Sequence, residues 1–212
     1  MKIKSFTFNS FQENTFVIYD QSKECIIIDP GCYTQQERTT LRRFITSEGL
    51  KPVKLINTHC HIDHILGNKF VSELWGLELY MHKEDLPLLE NAGKIGKMYG
   101  LKDYEGSPYP KYFLAQDDTL TFGESSFKIL FTPGHAPGHI CLYSKANNYL
   151  IAGDVLFQGS IGRTDLPGGD HSTLINSIIT QLFPLPNETQ VFCGHGPATN
   201  LGYEKEHNPF LQ

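Results

Sequence analysis

Positive charge is the minority in this sequence: 18 lysines and arginines stand against 23 aspartates and glutamates, a formal net charge of −5. Nucleic-acid binders grip phosphate backbones with an excess of basic side chains. The acidic balance argues against a nuclease, and no nucleic-acid partner is expected. Paired cysteines are lacking too. Cys25, Cys32, Cys60, Cys141 and Cys193 are odd in number, and no two stand in a CxxC spacing. Such usage fits free thiols in a reducing compartment. The opening residues, Met1-Lys-Ile-Lys-Ser-Phe-Thr-Phe-Asn-Ser, hold no apolar core before a small-residue cleavage site, so no secretory leader is expected. No apolar run nears the roughly 20 residues that span a bilayer. The expectation is a cytoplasmic protein without a membrane partner.

What is present is ordinary globular composition: 40% hydrophobic and 19% charged residues in 212. That length suits one sizeable domain, and residues 1–212 are read as a single domain. It buries enough apolar surface to need no disulfides.

Period-two alternation predicts a strand over Ile3–Phe8; strands at Asn14–Tyr19 and Cys25–Asp29 follow, with Asp20-Gln-Ser-Lys a tight turn between them. Leu41, Phe44 and Ile45 recur at helical spacing in Gln35–Glu48, which Gly49 closes. A buried strand follows at Val53–Asn57, then a helix at Asn68–Trp75, a strand at Leu77–Met81 and helix over Lys83–Tyr99. Leu101–Gln116, aromatic and proline-containing, reads as a long ordered loop. Strands are expected again at Thr119–Phe122, Phe127–Phe131, Ile140–Tyr143, Tyr149–Ile151 and Gln190–Cys193. A helix at Ser172–Phe183 is N-capped by Asp170 or Ser172. Separate runs of strands and helices imply an α+β protein, two sheets packed together with helices outside.

The chemistry concentrates in His59-Cys-His61-Ile-Asp63-His64, directly after the strand ending at Asn57. In extended backbone, residues two apart point the same way, so His59 and His61 converge on one ion. Asp63 and His64 continue past the turn and are placed for a second. His135 in Thr132-Pro-Gly-His, Asp154 in Ala152-Gly-Asp and His195 in Cys193-Gly-His-Gly-Pro each sit at a strand end beside glycine. Imidazole and carboxylate suit zinc, iron or manganese. Five histidines and two aspartates are about what two metals need if one aspartate bridges. Scattered core or surface histidines would not crowd four ligand-type residues into six positions.

The run HxHxDH followed by single His, Asp and His resembles the metallo-β-lactamase superfamily over nearly the whole sequence. The resemblance implies a four-layer αββα sandwich with the metals at one edge of the two sheets. It implies that His59, His61 and His135 bind one metal, that Asp63, His64 and His195 bind the other, and that Asp154 bridges. Gly153-Asp154-Val-Leu-Phe, Ile161-Gly-Arg-Thr-Asp-Leu-Pro-Gly-Gly-Asp170, Gly194-His-Gly-Pro197 and Glu206-His-Asn-Pro-Phe210 are similar to short glyoxalase II-like hydrolases. Full-length glyoxalase II carries a further C-terminal helical region that helps to bind glutathione. The sequence ends at Gln212, so that recognition is expected to be missing or rebuilt.

The implied function is a binuclear hydrolase of a small-molecule thioester such as S-lactoylglutathione. Two divalent ions, zinc first and iron or manganese as the other choices, would furnish hydroxide near neutral pH. A thiol of pKa about 8.5 leaves without a strong general acid. Asp63 and Asp154 are the candidate catalytic residues, Asp63 orienting the hydroxide, and Arg163 the candidate substrate contact; pairing with Asp165 is the other reading of Arg163. The alternatives are a persulfide dioxygenase, which resembles this sequence through Gly162-Arg-Thr-Asp165, and a lactone or other ester hydrolase. A β-lactamase is disfavoured because the commonest zinc type has cysteine where Asp154 stands. Nothing here sets the oligomeric state.

Asp29 either supports a ligand or caps the Pro30-Gly31 turn. His139 is expected to be structural, Cys60 a packed thiol, and His82, His171 and His207 surface or capping residues.

Overall fold

A computed structural model describes residues 1–212. β1 (Lys2–Phe8) and β2 (Glu13–Tyr19) pair antiparallel, with Ile3 opposite Ile18 and Phe8 opposite Glu13. β3 (Glu24–Ile28) continues the antiparallel ladder. Pairing then turns parallel through β4 (Lys51–Ile56), β5 (Leu79–Met81) and β6 (Tyr112–Phe113), so the sheet order follows the chain. Parallel neighbours need crossovers. These are α1 (Gln35–Ser47), α2 (Asn68–Trp75) and α3 (Leu86–Met98).

Local chemistry sets the helix ends. Thr34 and Glu37 form a reciprocal capping box at the start of α1, and Gly76 ends α2 in the left-handed conformation. α1 turns Leu41 and Ile45 into a core with Val17, Ile27, Leu55 and Val71. Each such side chain contributes about 1.5–3 kcal/mol by leaving water.

The second sheet runs β14-β13-β10-β9-β8-β7. Its strands are β7 (Thr119–Phe122), β8 (Ser125–Phe131), β9 (Ile140–Ser144), β10 (Tyr149–Gly153), β13 (Gln190–Cys193) and β14 (Thr199–Asn200). A separate hairpin joins β11 (Leu156–Phe157) to β12 (Ser160–Ile161). α4 (His171–Ser177) connects the parallel pair β10 and β13; Asp170 is its N-cap, accepting from Thr173 N. Leu174 and Ile178 pack with Leu150, Ala152, Val155 and Val191.

The chain divides into two compact units, Met1–Phe113 with Thr121–Ser125, and Leu114–Leu120 with Ser126–Gln212. The expected elements are found with shifted ends. The stretch Leu101–Gln116 contains β6 rather than being loop throughout, and the helix expected to Phe183 passes into a π-helical turn at Ile178–Leu182. The 156–161 hairpin and α5 (Leu201–His207) are additions. No helix is long and apolar enough to cross a membrane.

Candidate metal centre

In the first unit the ligand-type residues lie just past the C-terminal end of the parallel strand β4; in the second, Asp154 and His195 follow the parallel pair β10 and β13, and His135 follows β8, which pairs antiparallel with β9. In the first unit, β4 ends at Ile56, the chain bends at Thr58, and His61 is extended before the backbone tightens into a 3-10 turn over Ile62–His64. This brings His59, His61, Asp63 and His64 together. The His59 ring centroid lies 4.8 Å from that of His61 and 4.1 Å from that of His64. His64 Nε2 stands 3.6 Å from Asp63 Oδ2.

Buried polar groups hold this run from behind. Asp29, at the end of β3, accepts from Thr58 N at 2.7 Å and lies 3.1 Å from His64 Nδ1. Asp29 therefore holds both the Thr58 amide and the His64 ring. Thr58 Oγ1 lies 3.1 Å from His59 Nδ1. With Nδ1 of both rings occupied by these neighbours, Nε2 is the atom each would offer to a metal. Asp29, His59 and His64 form a close trio, but the Asp29 oxygens are used on Thr58 and His64. Asn57 Nδ2 donates to the His64 carbonyl, and Asn68 Nδ2 donates to Asn57 Oδ1 and Ser107 Oγ. Asp85, fully buried, accepts from Cys60 N at 2.7 Å, between two ligand-type residues. Burial pushes the Glu13 carboxyl well above its usual range, with His64 acting against that rise.

The second unit brings His135, Asp154 and His195 together. Asp154 Oδ2 lies 3.6 Å from His135 Nε2 and 3.5 Å from His195 Nε2. These separations exceed a good hydrogen bond. They match what two ligands about 2.1 Å from one tetrahedral ion would show, roughly 3.4 Å. One carboxylate oxygen thus stands close to two imidazole nitrogens. The donor set in both units, imidazole nitrogen with carboxylate oxygen, fits a divalent transition metal.

Glycine is needed at two positions here. Gly134 has φ +129, and a Cβ on it would collide with the Leu174 backbone. Gly162 lies against the Asp154 carbonyl, where a Cβ would have no room. The residue after Gly162 then acts through its backbone: Arg163 O accepts from His135 Nδ1 at 2.7 Å. The Arg163 side chain makes a bidentate pair with Asp165, at 2.7 and 2.6 Å, on the surface. The Arg163 hydrogen bonds hold the Asp165 carboxyl down at about 2.

His139 is buried and takes the Asp154 amide on Nε2 at 3.0 Å. Cys60 is a packed thiol, its sulfur 3.7 Å from Met81 Sδ. His82 caps a turn by accepting from Glu84 N; His171 and His207 are exposed. Sequence reading missed Asp85, Asn57 and Asn68. They carry no ligand spacing; Asn57 and Asn68 could have been found only by their position flanking the HxHxDH run, and Asp85, 25 residues beyond Cys60, carries no signal.

The Metallo-beta-lactamase superfamily profile matches residues 9–195. Hydroxyacylglutathione hydrolase GloC of Haemophilus influenzae is 38% identical over 216 residues, covering 100% of this chain and 98% of its own. The crystal structure of BLEG-1 B3 metallo-beta-lactamase superposes with a TM-score of 0.91 at 36% identity, covering 100% of both chains. TTHA1623, solved in a di-iron-bound form, gives a TM-score of 0.88 at 36% identity, covering 98% of this chain and 100% of that one. The fold is that of the metallo-β-lactamases, mixed α/β with sheets flanked by helices, as expected from the sequence. On its profile match, its relatives and its structural likeness, the chain belongs to the metallo-β-lactamase superfamily.

Proposed function

We propose that residues 1–212 act as one catalytic domain, a binuclear hydrolase that cleaves a thioester of the S-lactoylglutathione kind. Membership of a metallo-hydrolase superfamily supports the coarser part of this reading, a metal-dependent hydrolase. The observation that carries the bridged pair of ions is Asp154 Oδ2 standing 3.6 and 3.5 Å from the Nε2 atoms of His135 and His195. In the proposed centre His59, His61 and His135 hold one ion, Asp63, His64 and His195 hold the other, and Asp154 bridges. Two divalent ions there would lower the pKa of water toward neutrality and polarise a carbonyl.

The chain's own groups do the positioning. Arg163 O and Asp29 orient the His135 and His64 rings from behind. Asp63 would orient the attacking hydroxide by accepting a hydrogen bond from it. A thiolate leaving group of pKa about 8.5 needs no protein acid. Zinc is the metal we favour, and the di-iron form of TTHA1623 keeps iron in view. The likeness to GloC favours a glutathione thioester. The five free, buried thiols accord with a reducing, cytoplasmic setting.

The test is a metal-quantified preparation given S-lactoylglutathione, with thioester absorbance and dissolved oxygen followed together. Thioester loss without oxygen uptake, abolished in Asp154→Ala, is the expected result. Oxygen uptake with glutathione persulfide and no thioester loss would replace the reading with a persulfide dioxygenase. The BLEG-1 likeness favours a second reading, β-lactam hydrolysis, and a chromogenic cephalosporin in the same assay tests it.

A further inference from the structure

We propose that His139 is a positioning residue for Asp154, holding the backbone of the proposed bridging ligand through a ring nitrogen. The inference rests on the reading of Asp154 as the bridge and adds a residue to the machinery around it.

β10 ends at Gly153, whose φ of +48 turns the chain away from the strand direction. Gly153 O accepts from Gly194 N at 2.7 Å, which ties the β10 and β13 ends together. The next amide, Asp154 N, donates to His139 Nε2 at 3.0 Å. Asp154 is 7% exposed and His139 0%, so water does not readily substitute for that acceptor.

The acceptor role fixes the tautomer. A ring nitrogen that receives an N–H carries no proton itself, so the His139 proton sits on Nδ1. Nδ1 lies 3.2 Å from Thr132 Oγ1, which accepts it. Thr132 is in turn held by its own amide, donating to His139 O at 2.9 Å, and its hydroxyl lies 3.3 Å from Cys141 Sγ. The ring is therefore clamped between the β8 end and the first residues of β9, and it presents Nε2 in one direction. A histidine that only filled space would need no such polar alignment at both nitrogens.

Side-chain reach gives the discriminating variants. In His139→Asn the amide nitrogen reproduces Nδ1 and donates to Thr132, but the side chain stops short of Asp154 N. In His139→Gln the terminal amide extends to the Nε2 position and supplies an acceptor. Both are made in the full chain, and zinc alone is titrated against a chromophoric chelator, with the far-UV circular dichroism spectrum recorded for each.

Wild type is expected to bind two equivalents. His139→Asn is expected to weaken zinc binding by about 10–100-fold, as losses behind metal ligands do. It is also expected to lower kcat with KM little changed. His139→Gln is expected to restore affinity to within about threefold of wild type. Equal zinc affinity in wild type and His139→Asn, or equal loss in both variants, overturns the proposal. If His139→Asn does not fold, His139→Gln decides alone: wild-type-like binding supports the acceptor role, and weakened binding overturns it. Asp154→Ala separates the two readings. If that variant still binds two equivalents as tightly as wild type, the bridge itself is wrong, and the role of His139 falls with it.

Discussion

Asp29 takes the Thr58 amide on one carboxylate oxygen at 2.7 Å and sets the other 3.1 Å from His64 Nδ1. One side chain thus fixes both the start of the HxHxDH run and the ring of its last histidine. Asp29 has φ +48, a conformation that asparagine tolerates and alanine does not. Asp29→Ala should weaken metal binding about 10–100-fold. It should also destabilise the fold, with about 1–3 kcal/mol from the orphaned Thr58 amide alone. Asp29→Asn keeps the backbone and an acceptor for Thr58 but loses the charge beside His64, so it should fall between. Chelator competition and thermal melting check the order. An alanine variant that binds metal like wild type would show that Asp29 serves only the turn.

The candidate ligands stand out in the sequence because four of them crowd into six positions and the others stand beside glycines at strand ends. Their supports do not. Asn57 finds Asn68 across 11 residues and Cys60 finds Asp85 across 25, and no spacing rule links such pairs. The fold shows the same divide. β1, α1 and α2 have clear periodicity and β2 to β4 are longer runs with apolar stretches, whereas β6, β11, β12 and β14 are two residues each and show neither. α5 has only seven residues and depends on Asn200 accepting from Tyr203 N and on the burial of Leu201 and Glu204. In the sequence Arg163 stands out for its side chain, and in the structure its carbonyl also accepts from His135 Nδ1.

Asp85 should matter as much to stability as to metal binding. Its carboxylate is buried and holds the Cys60 amide between His59 and His61. Asp85→Ala leaves that amide unmet at a cost of about 1–3 kcal/mol. It also frees the backbone that aims both histidines, so the ion proposed at His59, His61 and His135 should be the weakened one. A zinc titration that loses affinity at one equivalent, together with a lowered melting temperature, is the expected pair of results. Loss of stability with both zinc affinities intact would make Asp85 a packing residue only.

The cysteines should be silent in the native protein. All five are free and buried. Burial pushes the thiols of Cys25, Cys32, Cys141 and Cys193 up to about 12, and Cys60 well above its ordinary value. The thiolate is the reactive form, so at pH 8 neither charge nor access favours attack on an aromatic disulfide reagent. Near-zero release of the chromophore from native protein is expected, against five equivalents in guanidinium. A thiol that reacts within mixing time in the native state would contradict its buried environment.

Glu204 anchors the C-terminal helix to the second unit. Fully buried, it accepts from Thr199 Oγ1 at 2.5 Å, Gly159 N at 3.0 Å and Asn208 Nδ2 at 2.8 Å. Gly159 lies in the turn between β11 and β12, and Phe157 of that hairpin packs edge-on to His195 with centroids 6.3 Å apart. Removing the carboxylate leaves buried donors unmet, so Glu204→Ala should cost on the order of 3 kcal/mol. For a chain of this size that is a fall of roughly 6–12 °C in melting temperature. Glu204→Gln keeps the volume and one strong acceptor, and should lose less than half of that. Because the hairpin carries Phe157, His195 is the ligand most exposed to the change, and zinc at the proposed Asp63–His64–His195 position should weaken before the other. An alanine variant with an unchanged melt would mean that α5 holds its place through Leu201 and the Asn200 cap without the carboxylate.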